Sequence, residues 1–98
     1  MLLALDIGNT EITVGLFRER SVEAHWRLTT VIERTPDEWA SALEAFLGHA
    51  GLSPNQIRAA CLVSVAPAVT QSIVAGVQTT TGCAPLAIDA RSPLPLVL

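Results

Sequence analysis

Asp6, Gly8, Asn9 and Thr10 fall within one short stretch, Asp6-Ile7-Gly8-Asn9-Thr10. It follows the apolar run Leu2-Leu3-Ala4-Leu5 and precedes Ile12-Thr13-Val14-Gly15-Leu16-Phe17, so it fills a turn between two predicted buried strands. Such a turn suits the binding of nucleotide phosphates. Gly8 has no Cβ, which lets backbone come close to an anion and tolerates positive φ. Asn9 and Thr10 add side-chain donors beside the turn's exposed N–H groups, which can form an anion-binding concavity. Asp6 is placed to hold Mg²⁺ through water, and the metal would offset phosphate charge. The competing reading is a tight hairpin, because Asp, Gly, Asn and Thr are also ordinary turn residues. On this segment alone both readings stand.

The elements that must position the turn can be read on either side of it. Leu2 to Leu5 is continuously apolar, as expected for a strand covered on both faces. In the next strand Ile12, Val14 and Leu16 alternate with Thr13, Gly15 and Phe17. After the polar turn Arg18-Glu19-Arg20-Ser21 comes the cleanest alternation, Val22, Ala24, Trp26 and Leu28 against Glu23, His25 and Arg27. Short connections predict an antiparallel meander of these three strands. His25 falls on the polar face, where a solvated or cross-strand-paired role is expected rather than metal ligation.

Thr35-Pro36-Asp37-Glu38 predicts a helix start, with Thr35 as N-cap, Pro36 at N1 and Glu38 closing a capping box. Trp39, Leu43, Phe46, Leu47 and Ala50 continue at helical spacing, and Gly51 is a natural terminator. His49 near the helix end favours the helix dipole. Ser53-Pro54-Asn55-Gln56 predicts a short capped turn. Ala59 to Val65 reads as a buried strand broken by Ala66-Pro67, Ala68 to about Thr80 as a second helix ended by Gly82, and Pro85 to Ile88 as a fifth short strand. The order βββαβαβ implies an α/β fold whose crossovers bring the later strands parallel to the first, in sheet order 3-2-1-4-5 with strand 2 antiparallel. That is the ribonuclease H-like architecture. Residues 1–88 make one domain on this reading, and 89–98, with Pro93 and Pro95, read as a connection toward something absent.

Bulk properties narrow the partners. Ninety-eight residues support one modest core, yet 50% are hydrophobic and the mean hydropathy is +0.46. The excess suggests part of a larger protein or one half of an oligomer, with an apolar face covered by a partner. No apolar run approaches the ~20 residues that cross a bilayer, and no secretory signal follows Met1, so no membrane role and a cytoplasmic location are expected. The six basic residues are all Arg, and the absence of Lys excludes a Walker A loop and Schiff-base chemistry. A net charge of −3 without a basic run argues against nucleic acid. Cys61 and Cys83 form no metal-binding or redox pattern and are expected to be reduced structural thiols.

Three motifs together resemble the type III pantothenate kinases, within the actin-like ATPase and sugar-kinase superfamily. They are Leu3-Ala4-Leu5-Asp6-Ile7-Gly8-Asn9-Thr10 with Ile12 to Phe17; His25-Trp26-Arg27-Leu28-Thr29-Thr30 with Glu33-Arg34-Thr35-Pro36-Asp37-Glu38; and Leu62-Val63-Ser64-Val65-Ala66-Pro67. The resemblance implies transfer of the ATP γ-phosphate to pantothenate, in coenzyme A biosynthesis, by a homodimer of two-domain subunits. It implies Mg²⁺ with ATP and a monovalent cation, K⁺ or NH4⁺, as cofactors. By match to the first phosphate motif, Asp6, Ile7, Gly8, Asn9, Thr10, Glu11, Ile12 and Thr13 would contact ATP, with Asp6 facing the metal.

Three departures qualify that expectation. Glu11 stands where many relatives carry Asn, and an ionised carboxylate there accepts hydrogen bonds but cannot donate. The glycine-rich stretch of many relatives is missing around Ile88 to Pro93. The family's catalytic aspartate lies in a Gly-x-Asp-Arg motif expected beyond Leu98, and Asp89-Ala90-Arg91 is not that motif. The chain is therefore expected to be the N-terminal half of such a kinase, without turnover on its own. The alternatives are a non-catalytic binding or regulatory module and a self-associating scaffold of the same fold.

Overall fold

One continuous apolar run and two alternating segments yield three antiparallel strands, β1 (Leu2–Ile7), β2 (Glu11–Arg18) and β3 (Ser21–Thr29). Helix α1 (Pro36–His49), a 3-10 turn (Pro54–Gln56), β4 (Ala59–Ser64), α2 (Pro67–Thr81) and β5 (Leu86–Ala87) follow. The computed structural model describes residues 1–88; the connection expected over 89–98 lies outside them. The sheet runs β3-β2-β1-β4-β5, with β1 antiparallel to β2 and parallel to β4, and β4 parallel to β5. This is the expected order.

One side of the sheet carries the main core. Leu3, Leu5 and Ile7 of β1, Ile12, Val14 and Leu16 of β2, and Ala60 and Leu62 of β4 are buried there. Trp39, Leu43 and Leu47 of α1 and Val69, Ile73 and Val77 of α2 belong to the same cluster, so both helices cover this side. The second side holds a smaller cluster of Ala4, Phe17 and Cys61, with Leu2 and Ile88 packed against it. Burial pushes the Cys61 thiol up, and both cysteines are free, as expected of structural thiols.

Strand β3 lies at the sheet edge. Its Ala24, Trp26 and Leu28 are half-buried against the main core, and Trp26 stacks on Phe46 at 5.0 Å between ring centroids. Val22 departs from the expected apolar row. It is 51% exposed, beyond the register shift between Leu16 and Phe17. At the other edge β5 is shorter than expected, because Pro85 has no N–H to extend the ladder; Ile88 still donates its N–H to the Leu62 carbonyl at 2.8 Å.

Helix α1 starts as its sequence dictates. The Glu38 N–H donates to Thr35 Oγ1 at 3.3 Å, and the Glu38 carboxylate accepts the Thr35 N–H at 2.9 Å. Gly51 and Gly82, both at positive φ, end the two helices. The helices meet at Gly76, where a Cβ would sit 2.8 Å from Trp39 Cβ and 2.9 Å from the Pro36 carbonyl oxygen.

Two outcomes follow. Gly76→Ala forces the helices apart and should lower unfolding free energy by about 1–3 kcal/mol, read from urea titration. The Thr35 N–H bond, then the Thr35 hydroxyl, hold the Glu38 carboxyl below its ordinary pKa, with a smaller contribution from Arg34. A carboxylate with a lowered folded pKa adds stability above its unfolded pKa and loses it as pH falls through the folded value. Thermal melts of Glu38→Gln should therefore lie below wild type near neutrality and converge with it in acid.

Candidate phosphate-binding site

Strands β1 and β4 are parallel neighbours whose connections leave in opposite directions, β1 into β2 and β4 through α2 into β5. Open α/β sheets bind ligands outside the carboxyl ends of strands at such a reversal. The ladder ends with the pair Ile7 and Ser64, and the Val65 N–H donates to the Ile7 carbonyl at 3.0 Å. The Gly8 to Thr10 turn stands immediately beyond. It lies between β1 and β2, where the sequence predicts a turn.

Three further bonds brace this turn. The Gly8 N–H donates to the Glu11 carbonyl at 2.9 Å, and the Thr30 N–H donates to the Thr10 carbonyl at 2.9 Å. Thr30 Oγ1 donates to the Gly8 carbonyl at 2.8 Å. Gly8 is needed for a different reason from the one its type suggests. Its φ is not positive, but a Cβ would lie 2.8 Å from the Glu11 carbonyl oxygen. The close approach within the turn excludes a side chain.

The turn leaves donors free. Asn9 and Thr10 are exposed, and among the described residues their backbone N–H groups and side chains find no acceptor. Ile7 and Ile12 are fully buried in the main core, so what they offer a ligand is backbone. Asp6, Glu11 and Thr13 alternate with them and therefore face the second side of the sheet. Asp6 pairs in register with Thr13, is exposed, and has no ion-pair partner among the described residues. The Glu11 carboxylate stands 3.7 Å from Arg27 Nε, so its charge beside the turn is partly offset.

No cluster of three or more His, Cys, Asp or Glu among the described residues makes a metal cage. A single free carboxylate nevertheless fits Mg²⁺, which keeps several waters and binds through one or two carboxylates plus substrate phosphates. His25 is exposed on the polar face of β3, and His49 is exposed in the last turn of α1. Behind the turn, Ser64 Oγ and Thr70 Oγ1 bond at 2.8 Å, and the Ala66 N–H donates to Ser64 Oγ at 3.1 Å. This network fixes the chain where β4 passes into α2. Among the described residues no helix is long and apolar enough to cross a membrane.

Two residues at the site carried no role in the sequence reading. Thr30 is visible there only as part of a motif, and Arg27 only as part of the same motif and of a polar face. Both become neighbours of the turn through the β2–β3 register, in which Glu11 pairs with Thr29 and Thr13 with Arg27.

A family model described as type III pantothenate kinase matches residues 2–97. A type III pantothenate kinase of Dehalococcoides mccartyi is 36% identical over 89 residues, covering 91% of this chain and 34% of that protein. One from Thermomicrobium roseum is 41% identical over 70 residues, covering 71% and 27%. The chain thus spans about a third of the length of these relatives. Among solved structures, the ROK hexokinase from Thermus thermophilus superimposes with a TM-score of 0.62 at 20% identity, over 89% of this chain and 34% of that one. That likeness shows a shared fold with a sugar kinase.

Gly8→Ala tests the geometry of the turn. The new Cβ must displace the Glu11 carbonyl, so a loss of about 1–3 kcal/mol in unfolding free energy is expected, with faster amide hydrogen exchange at Gly8 and Thr30.

Proposed function

The chain belongs to the type III pantothenate kinase family, and from that membership we propose that it is the N-terminal half of an enzyme that transfers the ATP γ-phosphate to pantothenate. The observation that carries this reading is the braced turn beyond β1 and β4, with free N–H groups at Asn9 and Thr10 beside the exposed Asp6 carboxylate. Phosphoryl transfer asks a protein chiefly for positioning and charge neutralisation. This turn offers N–H donors for positioning, and Asp6 offers a carboxylate for the Mg²⁺ that would neutralise charge.

In the proposed roles, Gly8, Asn9 and Thr10 cradle phosphate oxygens through backbone N–H groups and short polar side chains. Ile7 and Ile12 anchor the cradle in the core, and Glu11 and Thr13 flank it. Asp6 faces the nucleotide's Mg²⁺, which when bound neutralises charge on the phosphate oxygens. The buried hairpin keeps these groups fixed, so little reorganisation is needed when ligand arrives. Residues 1–88 serve as the phosphate-binding domain, and 89–98 lead toward a second one.

The rest of the enzyme lies outside this sequence. The general base is expected in a Gly-x-Asp-Arg motif beyond Leu98, together with most of the pantothenate site and the site for K⁺ or NH4⁺. The complete protein is proposed to be a cytoplasmic homodimer. The 98 residues alone hold one wall of the cleft and no catalytic base.

Titration of Mg-ATP against the full-length protein and its Asp6→Asn variant tests the reading. Losing a charged partner of the metal–phosphate group should weaken binding about tenfold or more. Equal affinity would remove Asp6 from the site, and no binding by wild type would overturn the function. The 98-residue chain, mixed with Mg-ATP and pantothenate, should form no phosphopantothenate above background.

A further inference from the structure

The sequence has no lysine, so a side-chain cation that this chain itself offers a phosphate at neutral pH must be an arginine. Arg18 is engaged by Glu23 at the opposite end of the β2–β3 hairpin, and Arg20 lies in the turn there. Arg34 sits over the Trp39 ring at 4.9 Å, on the helix-covered side. Arg58 precedes β4, and its backbone N–H donates to the Met1 carbonyl at the strands' amino ends. Among the described residues, Arg27 alone remains near the turn.

Its placement is specific. Thr13 pairs in register with Arg27 on one side and with Asp6 on the other, so these three residues form one row across β3, β2 and β1. All three face the side of the sheet that the helices leave uncovered. Glu11 lies on the same face, one pleat closer to the turn, and its carboxylate holds Arg27 Nε at 3.7 Å. The contact is long and made by Nε alone, and the two side chains are 72% and 54% exposed. Exposed ion pairs of this kind are weak in water.

We infer that Arg27 is the phosphate-facing cation of this site, with Glu11 keeping its guanidinium beside the turn until a nucleotide phosphate displaces the carboxylate. This rests on the phosphate-binding reading proposed above. A guanidinium presents a planar fork that matches two phosphate oxygens, and a triphosphate carries more charge than the single carboxylate it replaces. Glu11 thereby has a positioning role: it stores the cation close to the turn, and it also competes with the ligand. No bond is made or broken in this exchange beyond hydrogen bonds and ion pairs.

The test is calorimetric titration of Mg-ATP into the full-length protein at low and moderate salt, using wild type, Arg27→Gln, Arg27→Lys, Glu11→Gln and Asp6→Asn. Loss of a charged hydrogen-bonding partner should weaken Arg27→Gln about tenfold and flatten its salt dependence. Arg27→Lys should recover part of the affinity, and Glu11→Gln should bind more tightly than wild type. Circular dichroism melts of the Arg27 variants should match wild type, since this side chain packs against little. Unchanged affinity in Arg27→Gln, with Asp6→Asn weakened, would overturn the inference and leave the phosphate site standing. Weaker binding by Glu11→Gln would overturn the role given to Glu11. Absence of Mg-ATP binding by wild type would take away the underlying reading itself.

Discussion

The pleat shared by β1 and β2 is the constraint on which the rest depends. Leu3, Leu5 and Ile7, and then Ile12, Val14 and Leu16, are all buried on the helix side. Each such side chain contributes about 1.5–3 kcal/mol relative to exposure. A slip of one residue would turn these groups to solvent and push Asp6, Glu11 and Thr13 into the core. Burial of six aliphatic side chains therefore decides where one carboxylate points. The polar face is a by-product of the apolar one, and it is held with the same certainty.

Support for the turn comes from elements remote in sequence. Thr30 fastens it from the β3 side through its hydroxyl and its N–H, and Val65 continues the ladder from the β4 side. The carbonyls of Ile7, Gly8 and Thr10 are thus occupied, while among the described residues the N–H groups of Asn9 and Thr10 find no acceptor. Such a division suits an anion. Both helices pack on one face of the sheet, and among the described residues that asymmetry leaves the row from Asp6 to Arg27 uncovered by a helix.

The fold was largely legible because its signals are local. Period-two alternation marked β2 and β3, Thr35-Pro36-Asp37-Glu38 marked the start of α1, and Gly51 and Gly82 marked helix ends. Connection lengths then restricted the strand order. Legibility failed where the third dimension decides. That Gly8 is required by the Glu11 carbonyl rather than by its own φ depends on the turn's closure. Thr30 and Arg27 reach the site only through cross-strand register, which an alternating pattern does not number. Val22 fits the apolar row in sequence, but the register shift between Leu16 and Phe17 leaves it exposed.

The parallel pairing of β1 with β4 has a consequence for how the molecule assembles. The meander β1–β2–β3 closes through short connections, so Thr30 can reach Gly8 with little loss of chain entropy. The bond from Val65 to Ile7 instead closes a loop that contains β2, β3 and α1. Non-local closures of this kind cost entropy before they return contact energy, and they slow folding. One half of the turn's scaffolding thus depends on a local closure and the other on a long-range one. A chain caught between them carries the residues of the proposed phosphate cradle without its shape, which would tie ligand recognition to the completion of folding.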